Sequence, residues 1–91
     1  MSFDAQRCYR ISPAVTLRPE PFGALAYHFG QRRLTYLSSG NLVAVISELQ
    51  AGSGQRNAAE AMDAAGVPSG QRLPIERALG NLVDRGVLDA V

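Results

Sequence analysis

The sequence predicts an α+β domain, a three-stranded antiparallel β-meander followed by a three-helix unit. Two patterns carry the prediction. Apolar residues alternate at period two through the first third, and from Ser39 onward they recur at helical spacing. Length adds a third constraint, because 91 residues hold one domain, 1–91, and leave no room for a second core.

In the first strand region Tyr9 and Ile11, then Val15 and Leu17, alternate with less apolar neighbours. Arg18-Pro19-Glu20-Pro21 interrupts it, since proline cannot donate a ladder hydrogen bond, and a bend is expected there. Gly23 marks a bulge or a close backbone approach. The next strand, Ala24–Phe29, sets Leu25, Tyr27 and Phe29 on one face and Ala24, Ala26 and His28 on the other. Gly30 is expected to supply the positive φ of a tight turn. A third strand, Arg33–Leu37, follows with Leu34 and Tyr36 on one side and Arg33, Thr35 and Leu37 on the other.

Leu42, Val45, Ile46 and Leu49 then form one apolar stripe of a helix, capped by Ser39 or Asn41 and stopped by Gly52. Gly52-Ser53-Gly54 reads as a joint. Asn57 and Glu60 have capping-box spacing ahead of an Ala-rich helix ending at Ala65-Gly66. Val67–Arg72 reads as loop, with Pro68 and Gly70 as breakers. Pro74 suits the first turn of a third helix, whose buried face is Ile75, Ala78, Leu79, Leu82 and Val83 and whose stop is Gly86. Val87 and Leu88 are expected to tuck back against the core. The helices cannot bury these stripes alone, so they should pack against one face of the meander. The resulting order, with its helix-turn-helix-like tail, is winged-helix-like.

Composition narrows the function classes. The chain is 46% hydrophobic and 19% charged, an ordinary globular balance, and its net charge of +1 gives no general attraction to phosphates or anionic lipid. All nine basic residues are Arg, which reads as a coding bias shared with the abundant Ala. Cys8 is the only cysteine, which excludes an intrachain disulfide and fits a reducing cytoplasm. No apolar run reaches the ~18 residues a bilayer requires. Met1-Ser2-Phe3-Asp4 lacks the basic and hydrophobic regions of a secretory signal. A cytoplasmic protein without membrane contact is expected.

No catalytic constellation emerges, and the expectation is not an enzyme. Cys8 and His28 give at most two good metal ligands where three or four are needed, so no metal is expected. His28 reads as a partly exposed strand residue and Cys8 as an ordinary semi-buried thiol. Ser38, Ser39, Ser53 and Ser69 sit beside turns and caps, where hydroxyls serve the backbone. Gly52-Ser53-Gly54-Gln55-Arg56 lacks the end of a phosphate-binding loop and reads as a linker. The carboxylates are dispersed, with Glu48 and Glu60 as helix surface or cap rather than an acid–base pair.

Three binding readings remain. A winged helix suggests DNA, but on the third helix Glu76 and Asp84 offset Arg77 and Arg85, so the basic face of a duplex binder is missing and no nucleic-acid partner is expected. Nor does the tail leave room for a wing hairpin after that helix. The second reading is peptide capture, because the open edge of a meander offers unpaired backbone groups to an extended strand. A groove between the third strand and the third helix would add side-chain pockets, with Arg32, Arg33 and Arg77 placed to meet acidic residues of the peptide. Against a groove role, Leu34, Tyr36, Ala78 and Leu82 can be plain core, and core is preferred for Leu34 and Tyr36 because small domains need every large apolar side chain. The third reading is a structural subunit or oligomerisation module using the same edges.

Leu17-Arg18-Pro19-Glu20-Pro21-Phe22-Gly23-Ala24-Leu25, with Tyr27-His28-Phe29-Gly30 and Arg32-Arg33-Leu34, is the most distinctive stretch. It resembles the mycofactocin biosynthesis chaperones of the MftB family, PqqD-like recognition elements for ribosomally made, modified peptides. The resemblance continues through Leu42-Val43-Ala44-Val45, Ala64-Ala65-Gly66-Val67 and Arg77-Ala78-Leu79-Gly80-Asn81-Leu82, covering most of residues 9–88. It implies a single PqqD-like peptide recognition domain of three strands then three helices, with no cofactor and no chemistry of its own. It implies binding of the leader of a precursor peptide by strand addition and delivery to a radical S-adenosylmethionine maturase, which decarboxylates and cross-links a C-terminal Val-Tyr pair. Leaders in related domains lie along the third strand and against the third helix. Here those positions are Arg33, Leu34, Thr35, Tyr36 and Leu37, and Ile75, Arg77, Ala78 and Leu82. Arg18, Glu20 and Arg32 are candidates for contact with the maturase, the alternative for Arg18 and Glu20 being an ion pair that shapes the turn.

Overall fold

The structure, a computed structural model, describes residues 3–21, 23–52 and 54–91. Met1, Ser2, Phe22 and Ser53 lie outside the described residues, and with them parts of the readings of the N-terminus, the Arg18–Gly23 segment and the Gly52–Gly54 joint. The strands are β1 (Tyr9–Ile11), β2 (Val15–Glu20), β3 (Gly23–His28), β4 (Arg33–Leu37) and β5 (Leu88–Ala90). The helices are α1 (Gly40–Gly52), α2 (Ala58–Ala64) and α3 (Arg72–Asp84), the last preceded by a 3-10 turn at Ser69–Gln71.

The meander is β2-β3-β4, antiparallel throughout. What the sequence presents as one first strand region is two strands in two sheets. Ser12-Pro13 divides them: the Ser12 hydroxyl accepts from the Ala14 N–H at 3.2 Å, and the Ser12 carbonyl from the Val15 N–H at 3.0 Å. That local turn swings the chain out of β1, which pairs with β5, and into β2. The expected bend comes at Pro21, between the paired Glu20 and Gly23, and Pro19 itself does not bend the chain. It lies within β2, opposite Ala24, because β2 is an edge strand whose outer side needs no donor.

Gly23 supplies the expected close backbone approach. Its φ is +150°, and an added Cβ would run into the carbonyl oxygen of Leu37. Gly30 does not take a positive φ; in the four-residue connection from His28 to Arg33 that conformation falls on Arg32, at φ 52°. A two-residue hairpin would place a glycine there, whereas longer loops put their left-handed residue last.

Period two sorts the sheet cleanly. Ala24, Ala26, Thr35 and Leu37 are buried on one face, while Tyr27, Leu34 and Tyr36 are exposed on the other. Leu42, Val45, Ile46 and Leu49 of α1 meet that buried face together with Leu79 and Leu82 of α3, forming the core. The Ser39 hydroxyl caps α1 by accepting from the Leu42 N–H at 3.3 Å. Asn57 and Glu60 close a full capping box on α2, at 2.7 and 3.0 Å. α3 starts at Arg72, with Pro74 in its first turn. Val87 and Leu88 are buried, and the backbone beyond them continues as β5.

Candidate functional site

β4 is the outer strand of its sheet, paired only with β3 among the described residues. The sheet's other edge, β2, is blunted by Pro19 and by an ion pair between Arg18 Nε and Glu20 Oε2 at 3.1 Å. β4 contains no proline, so of the two edges it is the one suited to accept another strand.

Beside it lies a cleft of about 360 Å³ lined by Leu34, Thr35, Tyr36 and Leu37 of β4, Leu42 of α1, and Ala78, Asn81, Leu82 and Arg85 of α3. Leu34 is 57% and Tyr36 55% exposed, which overturns their expected place in the core. The reason lies in register. Leu34 stands opposite Tyr27 and Tyr36 opposite Leu25, so both belong to the sheet face turned away from the helices. Tyr27 and Phe29 extend this face with an edge-on ring contact of 5.5 Å. Tyr27, Phe29, Leu34 and Tyr36 thus leave four large apolar side chains of this face in contact with solvent.

Thr35 and Leu37 point the other way, into the cleft floor. Thr35 is 8% exposed, and its hydroxyl oxygen has no hydrogen-bond partner among the described residues. A buried hydroxyl left unpaired destabilises a fold by about 1–3 kcal/mol, so Thr35 holds its place beside the cleft at a cost in stability.

The other expected site residues fall differently. Ala78 and Leu82 line the cleft, whereas Ile75 is buried in the core and supports α3 from behind. Arg77 is exposed on α3 and is not among the cleft-lining residues; Arg33 is exposed at the start of β4. Arg32 sits exposed in the β3–β4 loop. Arg18 and Glu20 form the ion pair that was their alternative reading. Asn81 and Arg85 were missed by sequence reasoning, although the i, i+3/i+4, i+7 spacing from Ala78 places both on its face of α3.

A second cleft of about 340 Å³, lined by Arg10, Ile11, Ser12, Val15, Leu49 and Gln50, contains none of the predicted residues. No group of three or more His, Cys, Asp or Glu among the described residues can hold a metal ion. No helix among the described residues is long and apolar enough to cross a membrane.

These features define an α+β, winged-helix-like domain with an open strand edge beside a helix-walled cleft. The chain belongs to the peptide chaperone MftB family, whose model matches residues 8–89. It is 41% identical over 88 residues to the peptide chaperone MftB of Mycolicibacterium smegmatis, covering 97% of this chain and 83% of that protein. It is also 39% identical over 87 residues to the peptide chaperone MftB of Mycobacterium ulcerans, covering 96% and 77%. No solved structure matches the chain.

Proposed function

We propose that this protein is a non-catalytic peptide chaperone of mycofactocin biosynthesis. It takes the leader of the precursor peptide as an added strand on β4 and presents it to a radical S-adenosylmethionine maturase. The single observation that carries the reading is the unblunted β4 edge opening directly onto the cleft walled by α3. The edge supplies backbone pairing, and the cleft supplies contacts for alternate side chains, which together are the two components of strand-addition recognition. The family and its curated relatives, described as peptide chaperones, support the same assignment.

Calorimetric titration with a synthetic leader tests it. Saturable binding is expected, and N-methylation of alternate leader amides should abolish it in one of the two registers, because an added strand exposes only every second N–H to the edge. A random DNA duplex should give no heat. A folded protein that ignores the leader, with or without the maturase, ends the chaperone reading, and heat from the duplex alone would return the winged-helix DNA-binding alternative. Self-association through the same edge, without leader binding, would favour a structural subunit.

A further inference from the structure

The cleft is not chemically uniform along its length. Gly86, just past the C-terminus of α3, lies against the side chains of His28 and Gln31; a Cβ there would meet them at 3.1–3.3 Å. His28 is the register partner of Arg33. The C-terminal end of α3 therefore sits at the Arg33 end of β4, and the helix runs back along the strand in the opposite sense. From Ala78 to Arg85 is about 10 Å of helix, and from Arg33 to Leu37 about 13 Å of strand, so the two walls match in length.

Three stations follow along this trough. At the Leu37 end the walls are Leu37, Leu42 and Ala78, all apolar. At the middle, Thr35 offers its unpartnered, nine-tenths buried hydroxyl. At the far end stand Arg85 and Asn81, with Arg33 at the start of the strand and Arg32 before it. Arg32, Arg33 and Arg85, like Arg7 and Arg77, have no ion-pair partner among the described residues, whereas Arg10, Arg18, Arg56 and Arg72 each pair with a carboxylate.

We infer that the cleft reads a three-position code in its guest strand: an apolar side chain opposite Leu37, a hydrogen-bonding polar one opposite Thr35, and a carboxylate opposite Arg33 and within reach of Arg85. The inference rests on the strand-addition reading and specifies the guest's chemistry and direction. Only side chains on the inward face of the added strand reach the trough, so the three positions are spaced two residues apart. Antiparallel pairing is the more stable per residue. It places the apolar position first and the carboxylate last, N- to C-terminal along the guest. A guest running the other way would bring its carboxylate to Leu42 and its apolar residue to the guanidinium groups. The arginines thus set polarity as well as affinity, as charges at an interface do through mismatch as much as attraction.

The test is a charge swap in the intact protein against the synthetic leader and a series in which each of its Asp and Glu residues is replaced singly by Lys. Arg85→Glu should weaken the leader roughly five- to tenfold, since it converts an attraction into a repulsion at a partly screened site. One Lys-substituted leader, altered at the C-terminal end of the bound segment, should recover most of that loss, and no other should. Arg7→Glu, at an exposed position outside the cleft lining, should leave affinity within about twofold. Thr35→Val should weaken the leader severalfold while the protein remains folded by circular dichroism. Wild-type binding with Arg85→Glu unchanged, or recovery by a Lys at the N-terminal end, overturns the code and its direction but leaves strand addition standing. Absence of leader binding by the folded wild type overturns both.

Discussion

Gly23→Ala should unfold this protein far more readily than any other glycine-to-alanine change away from the core. The Gly23 backbone has φ +150°, which imposes about 1–3 kcal/mol on a residue with a Cβ. The new methyl would also overlap the Leu37 carbonyl oxygen, a backbone atom that cannot swing aside. Relief requires β3 and β4 to part at the Ala24–Leu37 pair, at the loss of a ladder bond worth about 1 kcal/mol. Together these give about 3 kcal/mol, and for a chain of this size each kcal/mol lowers Tm by about 4–8 °C. A fall of about 12–24 °C by differential scanning calorimetry is expected. Gly66→Ala is the internal reference. Its φ is +73° but a Cβ there meets nothing within 4 Å, so only the left-handed penalty of about 1–2 kcal/mol applies. If Gly23→Ala melts no lower than Gly66→Ala, the close approach is not what fixes the end of β4, and the reasoning fails.

Three further outcomes are expected. Asn57→Ala removes one half of the α2 capping box and should lower stability by about 1 kcal/mol, read as the shift in urea midpoint at constant m. Leu34→Ser should change stability by less than about 0.5 kcal/mol, because the side chain is largely in solvent, yet weaken leader binding about tenfold if a guest strand covers it. A large stability loss with unchanged binding would return Leu34 to a packing role. Leu79→Ala, at a fully buried position of α3, should cost about 2–5 kcal/mol and leave little folded protein near its former Tm.

Where the sequence could be read, the signals were local and redundant. The α1 stripe, the Asn57–Glu60 box and the alternation of β3 and β4 each rest on contacts within a few residues, and all three appear as expected. Leu34 and Tyr36 show the limit of that reasoning. Alternation placed them on one face of β4, but only the packing of α1 and α3 against Ala24, Ala26, Thr35 and Leu37 decides which face is inside. Small alanines on the buried face and large aromatics on the exposed one invert the usual reading of size as burial. β5 escaped because three residues are too few for any period, and its pairing with β1 is set by partners at the opposite end of the chain. Arg85 was obscured by weighing the net charge of α3, where Asp84 offsets it, rather than asking which side of the helix each charge occupies.

The pairing of β1 with β5 also favours late closure during assembly. Tyr9 lies opposite Ala90 and Ile11 opposite Leu88, so this ladder closes a loop of nearly the whole chain, while the meander closes over a few residues at a time. Synthesis delivers β1 to β4 before the helices and β5, so the apolar outer face and the open β4 edge of the meander precede the α3 wall. Val87 and Leu88, both 1% exposed in the finished fold, complete the core only after residues 88–90 have cleared the ribosome. Until α3 has formed, the β4 edge stands with no helix wall beside it, a state open to misassociation.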